Sequence, residues 1–300
     1  MIDVGCPLCE GNRRTVLFPA NFDPSRMDGE AFAVKGKSRA PHYQINRCAG
    51  CGMVYSGPVM EPAALARLYH EFRHENTGAR EVDNVAATFR NYYALARPHL
   101  SKRERALDIG CDIGLFLGNA RGDGFRELYG IEPNRQAAQK AAAIPGTTVF
   151  GGLYEDAEFP EGHFDLISMI HVLDHLIDVN TSLRRALRHL AKGGVIVAVV
   201  HNVDSTLGRL LGERFPPFNI QHNHFFSKAT LRKLFVKHGY SVVDVRATWN
   251  RYSLHYFIEN LPAAPAGIKT GLARSADMVG LGNLPISLPL GNIAIVATKP

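Results

Sequence analysis

The feature that most constrains this chain is a regular alternation of short apolar runs and helical stretches after about residue 100. Segments with helical spacing of apolar residues, such as 134–143 and 179–191, separate the runs. Strands that alternate with helices in this way form a parallel sheet with helices on both faces. The apolar runs are 106–109, 128–131, 148–150, 164–170 and 195–200. The sequence therefore predicts an α/β domain.

The last part of the chain predicts a change of strand direction. Segments 240–248 and 292–298 are rich in β-forming residues, and no long helical pattern joins them directly. We expect these two strands to form an antiparallel last pair. The residues between them, 249–291, are interpreted as a long and partly ordered insertion, and insertions of that length are often functional lids.

Composition excludes several classes of protein. The chain has 300 residues, of which 46% are hydrophobic and 21% are charged, so a mainly disordered or fibrous protein is excluded. The longest apolar run, Val195 to Val200, is far shorter than the roughly 20 residues that a membrane-spanning helix needs. The first residues contain an acid and a cysteine pair where a secretory signal needs a basic start and an apolar core. We expect a soluble cytoplasmic protein without a membrane span.

Four of the five cysteines form two C-x-x-C pairs, Cys6 with Cys9 and Cys48 with Cys51, separated by 38 residues. A two-residue spacer lets both thiolates of a pair face one tetrahedral zinc ion. Two unrelated thiol pairs or a redox pair are the alternatives, but neither pair lies on a thioredoxin-like strand-to-helix turn. A closed four-thiolate site has no open position for substrate, so we predict a structural zinc that folds an N-terminal module.

These signals divide the chain into three parts. We predict a zinc-binding module at 1–60 and a helical linker or cap at 61–100, with helices over 63–75 and 82–100. The third part is the α/β domain at 101–300, which contains the insertion 249–291.

A glycine turn follows the first apolar run of the domain. Glycines at such a turn allow a ligand to approach the backbone closely. The G-x-G-x-x-G pattern of dinucleotide-binding proteins is not met, because Asp112 and Leu115 stand where its second and third glycines would be. Glu132 lies 22 residues after Gly110, at the end of the next strand, where a carboxylate can accept hydrogen bonds from ribose hydroxyls. The pattern favours a nucleoside ligand that has no diphosphate.

At this point four segments resemble the motifs of class I S-adenosylmethionine-dependent methyltransferases. The segments are Leu107-Asp-Ile-Gly-Cys-Asp-Ile-Gly114, Tyr129-Gly-Ile-Glu-Pro133, Phe164-Asp-Leu-Ile with His171-Val-Leu-Asp-His-Leu176, and Leu190-Ala-Lys-Gly-Gly-Val-Ile-Val197. The resemblance implies a seven-stranded Rossmann-like sheet, mostly parallel, with an antiparallel last strand. With the four-cysteine module and the segment 224–240, the chain is similar to zinc-ribbon methyltransferases of small molecules, which include nucleotide-sugar C-methyltransferases.

The resemblance also implies roles for individual residues. Asp108, Gly110 and Gly114 would line the methionine end of the cofactor, and Glu132 would hold the ribose. His171 would lie near the methionine moiety. Leu153, Tyr154 and Asp156 belong to the stretch that would flank the adenine. Two positions depart from the family's pattern: Asp112, in the cofactor turn, replaces the commonest central glycine, and Asp174 replaces the usual glutamate.

Methyl transfer requires alignment of two reactants and removal of a proton from the acceptor, which suits a histidine. His201 follows the fifth apolar run at the carboxyl end of the sheet, and His222 and His224 lie in a loop expected to pass over the same edge. These three are the candidate acid/base groups, although loop histidines are also commonly structural. His175, Tyr69 and Tyr93 are interpreted as structural residues. The His222-x-His224 pair lacks a third metal ligand at the usual spacing.

Charge leaves two further functions open. The window 177–240 has ten Lys or Arg against three Asp or Glu, whereas residues 1–60 have seven against five. An RNA methyltransferase that uses the zinc ribbon and this basic face is one alternative, and a non-catalytic methyltransferase-like binding protein is another. Because the basic residues lie outside the zinc module, we favour a small-molecule acceptor, a sugar or other secondary metabolite, over nucleic acid.

Overall fold

The computed structural model describes residues 1–24, 40–61, 64, 79–261 and 264–300. The strands are β1 (Arg14–Phe18), β2 (Ile45–Cys48), β3 (Val54–Ser56), β4 (Arg105–Ile109), β5 (Glu127–Ile131), β6 (Thr147–Phe150), β7 (Phe164–Ile170), β8 (Leu190–His201), β9 (His224–Phe225), β10 (Ser241–Ser253) and β11 (Pro285–Thr298). The α-helices are α1 (Val82–Ala96), α2 (Leu115–Gly122), α3 (Arg135–Ala142), α4 (Val179–His189), α5 (Thr206–Leu211), α6 (Lys228–Lys237), α7 (Leu254–Glu259) and α8 (Ala266–Met278).

The larger sheet has seven strands in the order β10-β11-β8-β7-β4-β5-β6. The five strands from β8 to β6 are parallel, and β11 runs antiparallel to both of its neighbours. The predicted Rossmann-like sheet with an antiparallel last strand is therefore confirmed. The chain enters the sheet at β4, continues to β5 and β6 on one side, and then crosses to β7 and β8 on the other. In open α/β sheets, ligands bind at the carboxyl ends of the strands where the chain changes side in this way, which here are those of β4, β5 and β7.

The core lies on both faces of this sheet. In β8, six consecutive residues from Val195 to Val200 are fully buried, which is typical of a parallel strand covered by helices on each side. Helix α4 begins at the N-cap Asp178, whose side chain accepts a hydrogen bond from the Thr181 amide, and buries Leu183 and Ala186 against the sheet. In open α/β sheets covered in this way, ligands bind at the carboxyl ends of the strands.

A second, smaller sheet lies near the N-terminus and contains the order β1-β2-β3-β9, all antiparallel. Three of its strands come from the cysteine-containing segment. The fourth, β9, comes from the connection between β8 and α6, and pairs Tyr55 with His224 and Val54 with Phe225. The smaller sheet therefore joins the N-terminal segment directly to the loop that carries His222.

The C-terminal strands are longer than the sequence predicts. The predicted strands 240–248 and 292–298 extend in the structure to 241–253 and 285–298, and α7 and α8 occupy much of the chain between them. Pairing resumes beyond a register shift between Thr248 and Asn250. Helix α1 packs against this extension, where the Tyr92 hydroxyl donates to Asn250 Oδ1 at 2.7 Å.

The predicted helix over 82–100 is observed as α1, which continues into a 3-10 turn at Arg97–His99 that contains Pro98. The predicted helix over 63–75, with Tyr69, lies outside the described residues, except for position 64. Tyr93 is buried in α1 and its hydroxyl donates to Asp123 at 2.8 Å. Among the described residues, no helix has the length and hydropathy to cross a membrane.

Candidate functional site

The glycine turn follows β4 at the centre of the sheet. Gly110 and Gly114 have φ angles of +70° and +83°, which side-chain-bearing residues rarely adopt. A Cβ at Gly110 would lie 2.5 Å from Val172, and a Cβ at Gly114 would lie 3.1 Å from the Ala141 backbone. Backbone conformation and close packing within the chain therefore favour glycine at both positions, and a ligand that approaches this turn is not needed to explain them.

Glu132 lies just after β5, beside that turn. One carboxylate oxygen accepts a hydrogen bond from the Asp112 amide at 3.0 Å, and the other accepts one from the Asn134 amide at 2.7 Å. Asp112 itself has a positive φ of 46°. The two amides hold the carboxylate at the strand end, where a ribose that lay across the turn would meet it.

Asp108 is the last charged residue of β4 and is fully buried. Burial, together with the nearby Glu132 and Asp112 carboxylates, raises its pKa to about 7, against a hydrogen bond at 2.7 Å from the Ser168 hydroxyl. A buried carboxyl with a raised pKa favours a cationic ligand, which would stabilise its ionised form.

The stretch predicted to flank an adenine forms a 3-10 turn at Tyr154–Asp156. Leu153 and Asp156 are exposed. Tyr154 instead is buried, and its hydroxyl lies 3.0 Å from His189 Nδ1. The Tyr154 side chain is therefore part of the core, and Leu153 is the apolar side chain of this stretch that remains available at the surface.

A group of four histidines and one aspartate lies at the neighbouring strand ends. We call it the histidine cluster; it consists of His171, Asp174, His175, His201 and His222. His171, Asp174 and His175 follow β7, His201 ends β8, and His222 precedes β9. The ring centroid of His201 lies 4.9 Å from that of His171 and 5.2 Å from that of His222. The structure thus brings together His171, His201 and His222 from the sequence-based candidates.

Asp174 is the centre of the cluster. Its side chain is 2% exposed, and Oδ2 lies 2.8 Å from His201 Nδ1. Burial opposes ionisation of this carboxyl, but His222 and the hydrogen bond with His201 outweigh burial and hold the pKa of Asp174 well below its usual range. His201 is the more exposed residue of the Asp174–His201 pair, with a side chain that is 28% exposed. An ionised carboxylate behind a partly exposed imidazole is a common arrangement in proton transfer.

His222 and His175 form the inner part of the cluster. Their Nε2 atoms lie 3.0 Å apart, and His222 Nε2 lies 3.9 Å from Asp174 Oδ2. On its other side, His222 Nδ1 lies 2.7 Å from the Pro217 carbonyl oxygen. Burial, followed by the neighbouring His175, lowers the pKa of His222 to about 3. Burial also lowers the pKa of His175.

Asp174 and His175 are the members that sequence reasoning did not select for a role. They lie in the segment His171 to Leu176, directly after β7, at the same edge of the sheet as His201. The argument that selected His201 from its position after a parallel strand applies equally to them.

His224 lies apart from the cluster. It is buried in β9, and burial lowers the pKa of its ring to about 4, against a hydrogen bond with the Leu176 backbone. It lines a cavity of about 390 Å³ between the cysteine-containing segment and the start of α4. The three candidate acid/base groups are therefore divided, with His201 and His222 on Asp174 and His224 facing another space.

The four cysteines of the two C-x-x-C pairs converge. The Sγ atoms of Cys6 and Cys51 are 3.4 Å apart, as are those of Cys9 and Cys48, and all four lie within 4.8 Å of one another. None is in a disulfide. Four sulfurs around one zinc ion at about 2.3 Å would be roughly 3.8 Å apart, so the cysteine cluster fits such an ion with small adjustments.

The cysteine-containing segment is bonded to the histidine cluster through the β9 connection. Ser56 Oγ donates to the His222 carbonyl at 2.9 Å, and the Ser56 amide donates to the Asn223 carbonyl at the same distance. The amides of Asn223 and His224 donate to the Asp174 carbonyl. The position of His222 thus depends on both sheets.

Comparison with known families identifies the larger domain. A family model described as a methyltransferase domain matches residues 79–245, more than half of the chain. The chain belongs to the methyltransferase domain family. This membership makes the chain a methyltransferase and supports S-adenosylmethionine as its methyl donor. No curated protein matches the sequence.

Solved structures of methyltransferases are similar to this methyltransferase in fold. One is a SAM-dependent methyltransferase from Thermotoga maritima, with 21% identity, a TM-score of 0.47, and coverage of 72% of this chain and 92% of that chain. Another is an S-adenosylmethionine-dependent methyltransferase from Mesorhizobium loti, with 17% identity, a TM-score of 0.46, and coverage of 74% and 99%.

A third similar structure is a complex of the Haloferax volcanii Trm112 methyltransferase activator with a protein described as a methyltransferase. It has 15% identity and a TM-score of 0.51, with coverage of 74% of this chain and 96% of that chain. The match supports the shared fold.

Proposed function

We propose that this methyltransferase transfers the methyl group of S-adenosylmethionine to a small molecule, a sugar or other secondary metabolite, bound over the histidine cluster. The observation that carries the proposal is the adjacency of two chemistries on one sheet edge. Asp108 lies in β4 and Glu132 follows the neighbouring strand β5. On the other side of β4, Asp174 follows β7 and His201 ends β8.

The proposed cofactor site uses the turn after β4 and the end of β5. Asp108, Gly110, Asp112 and Gly114 would lie along the methionine end, with His171 beside it. Glu132 would accept hydrogen bonds from the ribose. The buried carboxyl of Asp108, with its pKa raised to about 7, supports a ligand that carries positive charge, as the donor does on its ammonium and sulfonium groups.

Leu153, Tyr154 and Asp156 complete this proposal on the adenine side. The exposed Leu153 would contact the base, and the Tyr154 and Asp156 backbone would border it.

We propose His201 as the group that takes a proton from the acceptor. Asp174 would orient its ring through the 2.8 Å contact with Nδ1, which leaves Nε2 as the atom directed to a substrate. Of the other candidates, His222 is more deeply buried on the same carboxylate, and His224 faces the cavity beside the cysteine-containing segment. A histidine placed in this way typically contributes about 10² to 10⁴ in rate.

We propose that the cysteine cluster binds a structural zinc ion. The four sulfur atoms lie within 4.8 Å of one another, and two C-x-x-C pairs that converge in this way are typical zinc ligands. The role of the zinc ion would be to hold β2 and β3 in place and, through their pairing, β9. A reduced four-cysteine site also favours the cytoplasm as the compartment.

From the four-cysteine module, the methyltransferase domain and the segment 224–240, we propose a function like that of nucleotide-sugar C-methyltransferases. The RNA methyltransferase alternative has less support in the structure. Part of the basic face makes contacts within the chain, since Arg185 donates to the Tyr154 and Ala157 carbonyls and Arg188 pairs with Glu161 at 3.6 Å.

The test has two stages. Calorimetry on zinc-containing protein should show S-adenosylmethionine binding in the micromolar range, and a donor labelled in its methyl group should then transfer label to a nucleotide sugar or small phenol but not to RNA. Absence of cofactor binding would contradict the methyltransferase assignment and favour a binding protein. Label found only in RNA would contradict the small-molecule acceptor.

A further inference from the structure

The histidine cluster contains more nitrogen and oxygen ligands than a single proton-accepting histidine needs. We propose that Asp174, His175 and His222 bind a divalent transition-metal ion, at a site separate from the cysteine cluster. The inference deepens the proposed function, because the ion would lie beside the methyl acceptor. That placement rests on the proposed function. Binding of the ion itself does not.

The orientation of His222 supports metal ligation. Its Nδ1 lies 3.2 Å from Asn219 Nδ2, which already donates to the Pro216 carbonyl, but only 2.7 Å from the Pro217 carbonyl oxygen, which can only accept a hydrogen bond. Nδ1 therefore carries the hydrogen, and Nε2 presents its lone pair to the cluster. This arrangement, with one ring nitrogen on a backbone carbonyl and the other facing the ion, is the usual one for a metal-binding histidine.

The spacing of the three donor atoms fits one ion. His222 Nε2 lies 3.0 Å from His175 Nε2 and 3.9 Å from Asp174 Oδ2. Ligands bound to zinc at about 2.0 to 2.2 Å with tetrahedral angles are roughly 3.3 to 3.5 Å apart, between the two observed distances. Small side-chain rotations would therefore place all three around one centre.

The charge of the cluster also favours a cation. Asp174 is buried, and its Oδ1 has no hydrogen-bond partner among the described residues. A buried carboxylate with an unsatisfied oxygen is costly unless a cation or further donors are present. Two imidazoles and one carboxylate form a donor set typical of zinc and non-haem iron, and they leave positions open for other ligands.

His171, Asp174 and His201 form a second group with metal-ligating spacing. In that group, however, His201 Nδ1 already contacts Asp174 Oδ2 at 2.8 Å, the distance of a direct hydrogen bond. That hydrogen bond uses a histidine ligand atom of the second group, whereas both histidine ligand atoms of the first group lie outside it, so the first group is the better site. It also leaves His201, whose side chain is partly exposed, hydrogen-bonded to Asp174.

The experiment is a calorimetric titration of the purified full-length protein with Co²⁺, without methyl donor, together with metal analysis before and after. We expect one ion beyond that of the cysteine cluster, with a visible spectrum typical of nitrogen and oxygen ligands rather than thiolates. The double variant His175→Gln/His222→Gln should bind this ion at least about 100-fold more weakly, because loss of a ligand exceeds the 10- to 100-fold cost of losing an outer partner. His99→Gln, at an exposed histidine, is the matched control.

Circular dichroism and cofactor binding report whether the double variant folds, and Asp174→Asn provides a second variant with the same expected loss. The proposal is overturned if the wild-type protein binds no additional ion, or if both variants fold and bind it as tightly as the wild type. It is also overturned if His201→Gln abolishes binding while the double variant retains it, because the ion would then lie in the second group. These readouts do not depend on methyl transfer, so failure of the metal site and failure of the proposed function can be distinguished.

Discussion

The turn after β4 and the histidine cluster occupy neighbouring strand ends of one sheet, but the chain builds them differently. The central part of the proposed cofactor site, from Asp108 to Glu132, comes from 25 consecutive residues. The histidine cluster comes from three separated segments, and one of them is bonded to the small sheet that contains the cysteines. The first region should therefore tolerate damage elsewhere in the molecule, whereas the second should not.

The largest expected effect comes from a change in the cysteine cluster, which should affect the histidine cluster but not the turn after β4. In Cys48→Ser, loss of a zinc ligand should unfold the N-terminal module, because structural zinc binding contributes on the order of 10 kcal/mol to small zinc domains. We expect methyl transfer to fall at least about 100-fold as the β9 connection, which is bonded to Asp174, loses its support, because one positioned proton-transfer group contributes about 10²- to 10⁴-fold. Metal analysis, activity and cofactor calorimetry would measure these changes.

The cofactor affinity of Cys48→Ser should change far less, since no residue of the turn after β4 belongs to that module. Cys111→Ser is the control for zinc content alone, because Cys111 is buried outside the cysteine cluster, within the turn after β4. Equal losses of cofactor binding and turnover in Cys48→Ser would show that the two regions are not independent.

A second prediction concerns the histidine cluster alone. His201→Asn should lower kcat by roughly 10² to 10⁴ with little change in cofactor affinity, because it removes a proton acceptor without touching the turn after β4. Steady-state kinetics and calorimetry check the two parts. His99→Asn should behave as the wild type. A variant with unchanged kcat would move the acid/base role to His222 or away from histidine.

A third prediction concerns the cofactor side alone. Glu132→Ala should weaken S-adenosylmethionine binding by roughly 10- to 100-fold, because hydrogen bonds to a charged group contribute about 1.5 to 3 kcal/mol each. With saturating donor, kcat should fall much less. Glu127→Ala, at the start of the same strand, is the control. An unchanged dissociation constant would contradict the ribose contact.

The smallest expected effect is a pH dependence from Asp108, whose pKa is raised to about 7 chiefly by burial. The cationic donor favours the ionised carboxyl, so affinity should increase about tenfold between pH 6 and pH 8. Asp108→Asn should show weaker binding and no such increase. Calorimetry at several pH values, in buffers of matched ionic strength, provides the measurement.

The same group predicts a stability change in the protein without donor. Because the folded-state pKa of Asp108 lies above its value in the unfolded chain, its contribution to stability is present at low pH and is lost as the pH rises through 7. Thermal unfolding of the wild type should therefore shift to lower temperature relative to Asp108→Asn as the pH increases. Parallel curves for the two proteins would contradict a raised pKa.

Much of the fold could be predicted from the sequence because its determinants are local. Val195 to Val200 predicts a buried strand by its unbroken apolar character, and the observed β8 contains it. The glycine turn was also predicted in place, although Val172 and Ala141 show that chain packing requires its glycines. The extended pair of β10 and β11 was not predicted in full, because its outer half is stabilised by contacts with α1 and has no pattern of its own.

The sequence by itself determined the sheet, its antiparallel last strand and the positions of the cofactor turn, because hydrophobic periodicity and turn residues act over a few neighbouring positions. Only the tertiary structure decided which histidines meet. It brought Asp174 between His201 and His222, and it placed His224 beside the cysteine-containing segment. The physical reason is that the pairing of β3 with β9 joins residues more than 160 positions apart, and no local pattern specifies such a pairing.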